Sequence, residues 1–438
     1  MRPRRADLQA GRRREDGADA ERPLPRPDPA RPARRPLRRR RNADRRRRAR
    51  VGLDRGLPEA REGRREVGRS LTTAREPRPA LVLAGLVAGT ALRLLLAGGL
   101  DGNYDQASWE IVARIVASGG NVYAETTRYN YGPAWSLILL ALWKLHAVTG
   151  LSFHLCVRGF LSLADVGNAL LVGDIARRAF STPRGWATLA YALNPVAILV
   201  VGFHGQFDNL AALPLLAALR LALAPPSLPL GAIWALGTAA LCVKHLNVFI
   251  VLALFLVVGS TLRRTAGLLA AALAVFGASF LPHLSTGMDG IVKNVLLYRG
   301  LAHPYGLATF LPRNVLFVVF AVVLSATPFL ARRFLRLGPV ETLELTTVAL
   351  LVFIPGIGEP YFLLPVLFGA ARRSLGWIVF TIVATFFLPF GPFGILGSRG
   401  PQLWNADWLA LVFWLVFDVA RALRARRAAP GAAAAAEA

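Results

Sequence analysis

The sequence predicts an all-α protein, a polytopic bundle of about 11–14 transmembrane helices, and three observations predict it. The 438 residues are 54% hydrophobic with a mean hydropathy of +0.44, too apolar for two or three soluble domains of ordinary size. From Pro79 onward, apolar runs of 15 to 25 residues alternate with short polar or arginine-rich breaks, and a helix needs roughly 20 apolar residues to cross a hydrocarbon core. The period-two alternation of a membrane β-barrel is missing from those runs.

Residues 1–78 are a different material: 27 arginines against 12 acidic residues, no lysine, no aromatic residue and repeated proline and glycine. Such a segment cannot bury a core, so a disordered, arginine-rich cytoplasmic tail is expected there. Its charge of +15, out of +26 for the chain, suits a topology anchor or anionic lipid; no specific nucleic-acid partner is expected. No short apolar segment with a small-residue cleavage site precedes Pro79, so the start does not resemble a cleavable signal peptide. Residues 79–425 form the membrane domain, and residues 426–438 are read as an alanine-rich C-terminal tail.

Candidate spans fall near 80–99, 134–150, 153–176, 186–203, 208–223, 228–243, 246–260, 266–283, 314–331, 340–355, 361–371, 375–391 and 408–421. Arginine in short loops favours the cytoplasm, which places "ARRAFSTPRG", "TLRRTAG", "ARRFLRLG", "ARRS" and "RALRARRAA" inside with the tail. The stretches "HGQFDN", "VKHLN", the long segment from Pro282 to Asn314, "GIGEPYF" and "FGPFGILGSRGPQLWNAD" then share the outer face with the first loop. Single crossings from 134 to 203 would put "HGQFDN" inside; two half-helices within 151–178, where Arg158, Gly159, Asp165, Gly167, Asn168 and Asp174 interrupt the apolar run, restore the parity.

In the first loop, Trp109, Ile111, Val112, Ile115 and Val116 fall on one half of a helical wheel and Gln106, Glu110 and Arg114 on the other. This pattern predicts an amphipathic interfacial helix. Asp105 at its start has two readings. It is a good N-cap, with Tyr104 and Trp109 at the spacing of a hydrophobic staple, and it is also a well-placed base at a membrane surface. Asp101, just after the first span, is its rival.

Lys244 in "LCVKHLN" is either an intramembrane cation, costly and therefore functional, or part of a turn between two helices that reaches water. His204, Gln206 and Asp208 are more polar than the turn and N-cap before 208–223 require. Glu359 is an isolated acid between apolar runs, and loop solvation explains it equally well. Lys293, Arg299, His303, Tyr305 and Arg313 add polar and cationic groups to the longest outer loop. Cys156 and Cys242 sit in apolar runs and read as packing residues, with no disulfide framework. No HExxH, paired CxxC, Walker loop or GxSxG elbow is present, so the energy for any reaction must come from an activated substrate.

Four stretches resemble the GT-C superfamily of membrane glycosyltransferases, and most closely its bacterial mannosyltransferase-like group, glycosyltransferase family 87. They are "YDQASWEIVARIVASGGNVYAETTRYNYGPAW", with "YNYGP" where a double proline is common, "NPVAILVVGFHGQFDNLAALPLLAAL", "LCVKHLN" and "GIGEPYFLLP". The resemblance covers residues 79 to about 425. It implies a GT-C-like bundle and extracytoplasmic, inverting transfer of a sugar, mannose favoured, from a polyprenyl-phosphate donor to a lipid or glycan acceptor. By the same resemblance Asp105, with Asp101 as alternate, is the base. Lys244, helped by His245 and by Arg299 or Arg313, would hold the lipid phosphate; His204, Gln206 and Asp208 would line the same cavity, and His303, Glu359 and Tyr361 are further donor- or substrate-binding candidates. Some members need a divalent metal; no metal ligand set and no other cofactor are expected here. The rival readings are a secondary transporter, with Lys244 and Asp165 as coupling residues, and a lipid-linked polysaccharide ligase or polymerase.

Overall fold

The computed structural model describes residues 75–100, 103–224, 229–298, 306–356, 358–390 and 404–437. Residues 1–74 of the expected disordered tail, and the candidates Asp101, Arg299 and His303, lie outside the described residues. Everything regular among the described residues is helical. Four helical runs there are long and apolar enough to cross a membrane: Pro79–Gly99, Phe153–Phe180, Leu262–Leu296 and Arg313–Arg333. A bent pair, Arg184–Ala192 with Pro195–His204, turns by 47° and makes a fifth if it is one span; five further apolar helices are 10–17 residues long. The chain is a multi-pass helical membrane protein.

Helix α1 (Pro79–Gly99) opens on a proline at its first turn and exposes most of its apolar side chains. Its buried residues are Gly85, Gly89, Arg93 and Ala97, spaced four apart on one face. A Cβ at Gly89 would stand 2.4 Å from the Ala192 carbonyl oxygen, so glycine is what lets the neighbouring helix approach. α2 (Tyr104–Ala117) and the short α3 (Val122–Glu125) follow, then α4 (Pro133–Thr149), α5 (Phe153–Phe180) and α6 (Arg184–Ala192).

The parity of this region is settled differently from the sequence expectation. Residues 151–178 do not form two half-helices, because α5 is one continuous 28-residue helix. Instead α4 lies along α2 from end to end. Near its start Trp135 meets Trp109 edge-on at 5.7 Å, and near its end the Arg114 guanidinium lies 5.6 Å from the centre of the Trp143 ring. Just beyond α4, His154 Nε2 is 3.2 Å from Glu110 Oε2. The chain therefore enters and leaves α4 at the same end of the bundle. α5 then runs away from that end, and α6 returns to it through α7 (Pro195–Leu199) and a π-helical turn, Val200–His204. The break between α6 and α7 falls at Asn194, whose side chain caps α7 ahead of Pro195, as proline after a helix end dictates.

α8 (Asp208–Ala222) packs on α5 and on α9 (Leu230–Val243). α9 breaks from α10 (Val248–Val258) at Lys244, which is extended, and at a single 3₁₀ turn, His245–Asn247. α11 (Leu262–Ala278) and α12 (Leu284–Gly290) lead back to α3, where Asn121 Nδ2 donates to the His283 carbonyl at 3.0 Å. The last five helices are α13 (Arg313–Arg333), α14 (Pro339–Phe353), α15 (Leu363–Arg372), α16 (Leu375–Phe387) and α17 (Trp404–Glu437). α17 continues through the stretch read as the C-terminal tail. α14 and α15 are buried on all sides and form the middle of the bundle.

The arginine-rich breaks collect at the far end from α2. Arg177, Arg184 and Arg220 surround Asp174, and Arg372 bridges Glu344 and Asp418 at 2.8 and 2.7 Å. Between the ends, Arg93 and Asp165 form an ion pair at 2.6 Å, both almost wholly buried.

Candidate active site

At the near end, the polar islands of four separate stretches meet. The first is α2. Asn103, not Asp105, caps this helix: its side-chain oxygen accepts from the backbone N–H groups of Asp105 and Gln106 at 3.1 and 3.4 Å. The Asp105 carboxylate is thereby left out of the cap. It is half-buried and accepts a hydrogen bond from Gln206 Nε2.

The second is the turn from Val200 to Asp208, which is buried throughout. Gly205 has φ +61°, a left-handed conformation open to glycine, and a Cβ there would fall 1.7 Å from Gln106 Nε2. That amide instead donates to the His204 and Gly205 carbonyls, each at 3.2 Å. Asn103 Nδ2 meets His204 Nδ1 at 2.9 Å. Phe207 stacks on Trp135 at 4.3 Å and 14° and meets Trp109 edge-on. Three successive side chains are thus held separately: Gln206 on α2, Phe207 between two tryptophans, and Asp208 on Lys244. No side chain caps α8, so the polarity of this island is not spent on starting a helix.

The third is Lys244. Its ammonium sits 2.7 Å from both Asp208 carboxylate oxygens and 4.1 Å from the centre of the Tyr361 ring, with Phe207 and Tyr131 at 5.2 and 5.6 Å. Lys244 is 1% exposed and Asp208 0%. The geometry combines both sequence readings: two helices with a break, as a turn requires, but a lysine that points into the protein and does not reach water. The fourth is the short helical turn Glu359–Phe362, which packs on the π turn and brings in Tyr361.

Burial raises the Asp105 carboxyl above its ordinary 3.8; the Lys244 charge and the Gln206 hydrogen bond pull the other way, Asp208 pushes it further up and Arg128 pulls it down. Asp105 lies in α2, outside the crossing helices, where a raised carboxyl is suited to taking a proton at neutral pH.

Among the sequence candidates, Asp105, Gln206, Asp208, Lys244 and Tyr361 are brought together. His204 is buried behind them and meets Asn103. His245 is half-buried, 6.4 Å from Tyr131 and stacked on Phe276. Arg313 starts α13 and acts on Tyr298, which in turn feels Asp105. Glu359 opens the short turn that carries Tyr361.

Sequence reasoning missed Asn103, Arg128, Tyr131, Phe207 and Tyr298. Arg128 donates to the Tyr104 carbonyl at 3.1 Å and covers the Tyr104 ring at 3.9 Å, close enough to act on Asp105. Tyr131 and Tyr361 both stand beside the Lys244 ammonium, and Tyr298 is exposed. Both Arg128 and Tyr131 lie in "RYNYGP", whose crowding of aromatic and cationic residues in six positions was the available signal. Among the described residues, no three histidine, cysteine or acidic side chains converge as a metal ligand set.

No family model matches the chain, and no curated protein does. Among solved structures, the crystal structure of ArnT from Cupriavidus metallidurans bound to undecaprenyl phosphate is similar at 15% identity and a TM-score of 0.47, over 79% of this chain and 77% of that one. A likeness of that size carries no argument about function.

Proposed function

We propose that this chain is a membrane glycosyltransferase that moves a sugar, mannose favoured, from a polyprenyl-phosphate donor to a lipid or glycan acceptor, with inversion, and that Asp105 is its base. The observation that carries the reading is the hydrogen bond from Gln206 to Asp105. It joins two of the four stretches that resemble the GT-C pattern, and the other two supply Lys244 and Tyr361 immediately behind it.

In this reading Asp105 takes the proton from an acceptor hydroxyl, and that oxygen attacks the anomeric carbon opposite the phosphate. The bond from that carbon to the phosphate oxygen breaks, and polyprenyl phosphate departs with the electron pair. Its negative charge needs cations. Arg128 and Arg313 stand around Asp105 and Tyr298, with His245 behind Tyr131. Lys244 can serve the phosphate only by exchanging Asp208 for it. The arginine-rich breaks at the opposite end favour the cytoplasm, which would put the site at the extracytoplasmic face and the N-terminus inside.

Two rivals have less behind them. A transporter would use Lys244 and Asp165, yet each is fastened to a different partner, Asp208 and Arg93. A polysaccharide ligase or polymerase would move an oligosaccharide through a comparable site, and only the product separates it from a single-sugar transferase.

Incubating the purified protein with labelled polyprenyl-phosphate-mannose and a panel of lipid and glycan acceptors tests the proposal. A labelled glycoside of inverted configuration is expected, and Asp105→Asn should remove it. Full activity in Asp105→Asn would reject Asp105 as base, and no product with any donor of this class would reject the function.

A further inference from the structure

We infer that Lys244 and Asp208 act as a positioning pair, holding Gln206 against the base, and that Lys244 is not the cation that meets the donor phosphate. The inference rests on the proposed glycosyltransferase reading for what Asp105 does, but its own ground is the geometry around Lys244.

An ammonium has three N–H donors. Two point at the Asp208 oxygens, at 2.7 Å each, and the Tyr361, Phe207 and Tyr131 rings stand around the nitrogen. With two donors on Asp208 and 1% of its surface exposed, Lys244 is already matched and enclosed before any phosphate arrives. Moving Lys244 toward a substrate would strand Asp208, which has no exposed surface; a buried carboxylate without its cation is strongly unfavourable.

What the pair does hold is the turn. Asp208 lies two residues after Gln206, and Phe207 between them is clasped by Trp109 and Trp135. On its N-terminal side Gln206 follows Gly205, whose carbonyl Gln106 holds at 3.2 Å, and on its C-terminal side Asp208 is held by Lys244, so the direction of the Gln206 side chain depends on both anchors. Lys244 can reach Asp208 because the chain is extended at that residue, φ −145° and ψ 107°, between α9 and the 3₁₀ turn. The break at "VKHLN" therefore delivers a lysine to Asp208, and through Asp208 sets the amide that bonds Asp105.

Lys244→Met, Asp208→Asn and the double variant, each as the full chain in proteoliposomes, test this against a phosphate-binding role. Each single change should lower kcat for sugar transfer by about a hundredfold, because each leaves its partner buried and unmatched. The double variant should recover to within about tenfold of wild type. In the double variant, the donor KM and the Kd for polyprenyl phosphate should stay within about threefold of wild type. The inference is overturned if the double variant is no better than Lys244→Met and binds polyprenyl phosphate at least tenfold more weakly. A wild-type chain inactive with every donor would instead reject the proposed function. In that case a double-mutant cycle on the thermal midpoint, Lys244→Met with Gln206→Leu, still decides: non-additive changes support the positioning pair and additive ones reject it.

Discussion

Gln206 Nε2 donates to the carboxylate of Asp105, a residue 101 positions earlier in the chain. The bond stabilises the ionised carboxylate, opposing the burial that raises it, and it also fixes which oxygen faces the rest of the site. Removing the donor should leave the proposed base harder to ionise and less well aimed. In Gln206→Leu the acid limb of the kcat/KM profile should move to higher pH, since the group lost favoured the charged form, and kcat should fall by about a hundredfold. A pH profile of Gln206→Leu that overlays the wild type would remove Gln206 from this role.

The cap of α2 and the proposed base are separate residues, Asn103 and Asp105, and that separation can be measured. Asn103→Ala should cost about 1 kcal/mol by loss of the N-cap of α2 and lower transfer as the start of the helix frays. Asp105→Asn should reduce transfer by about a thousandfold with the thermal midpoint unchanged, because its side chain takes no part in the cap. If Asp105→Asn melts as early as Asn103→Ala, the cap has been assigned to the wrong residue.

Much of this end of the bundle was legible in the sequence. The island at 204–209 is more polar than a turn needs and arginine placement put it on one face with 244–247 and 359–361, although the sequence left those two equally open to being ordinary solvated turns. The path between residues 134 and 203 was not legible. α4 is apolar enough to resemble a crossing, and only its contacts with Trp109 and Arg114 show that it lies along α2. Asp165 interrupts α5 in sequence but not in structure, because Arg93 on α1 neutralises it across the helix interface. Arg93 itself, an arginine in the middle of the first apolar run, was a signal passed over. Asn103 was hidden by Asp105, a cap former of equal standing two residues later. Phe207 and Tyr131 look like packing residues, and nothing local says that they surround an ammonium.

Gly205 is the narrowest point of the site's construction. Its φ of +61° is strained for any residue with a Cβ, and the Cβ would occupy the place of the Gln106 amide. Gly205→Ala should cost about 1 kcal/mol or more and displace Gln106 from the two carbonyls it binds. Transfer should fall further than stability does, because Gln206 follows directly. Thermal unfolding and transfer rates on one preparation compare the two, and a loss confined to stability would show that the turn holds without Gln106.

Arg93 and Asp165 offer the control for everything argued at the near end. Their ion pair is buried between α1 and α5, Tyr191 and Asn168 also bond Asp165, and Arg93 donates to the Ala192 carbonyl at 2.8 Å. The set fastens three helices and reaches the near end only through Asn168, which donates to the Asn209 carbonyl at 2.8 Å. Asp165→Ala leaves the guanidinium buried without a counter-charge and should destabilise the protein by about 3–5 kcal/mol. Arg93→Met combined with Asp165→Leu, which removes both charges and keeps much of the volume, should recover most of that stability. The recovered double variant should transfer sugar at close to the wild-type rate per folded molecule, measured on the monodisperse fraction. A coupling residue of a transporter would not tolerate that exchange. A double variant that is stable but inactive would therefore move Asp165 from the scaffold to the chemistry and revive the transport reading.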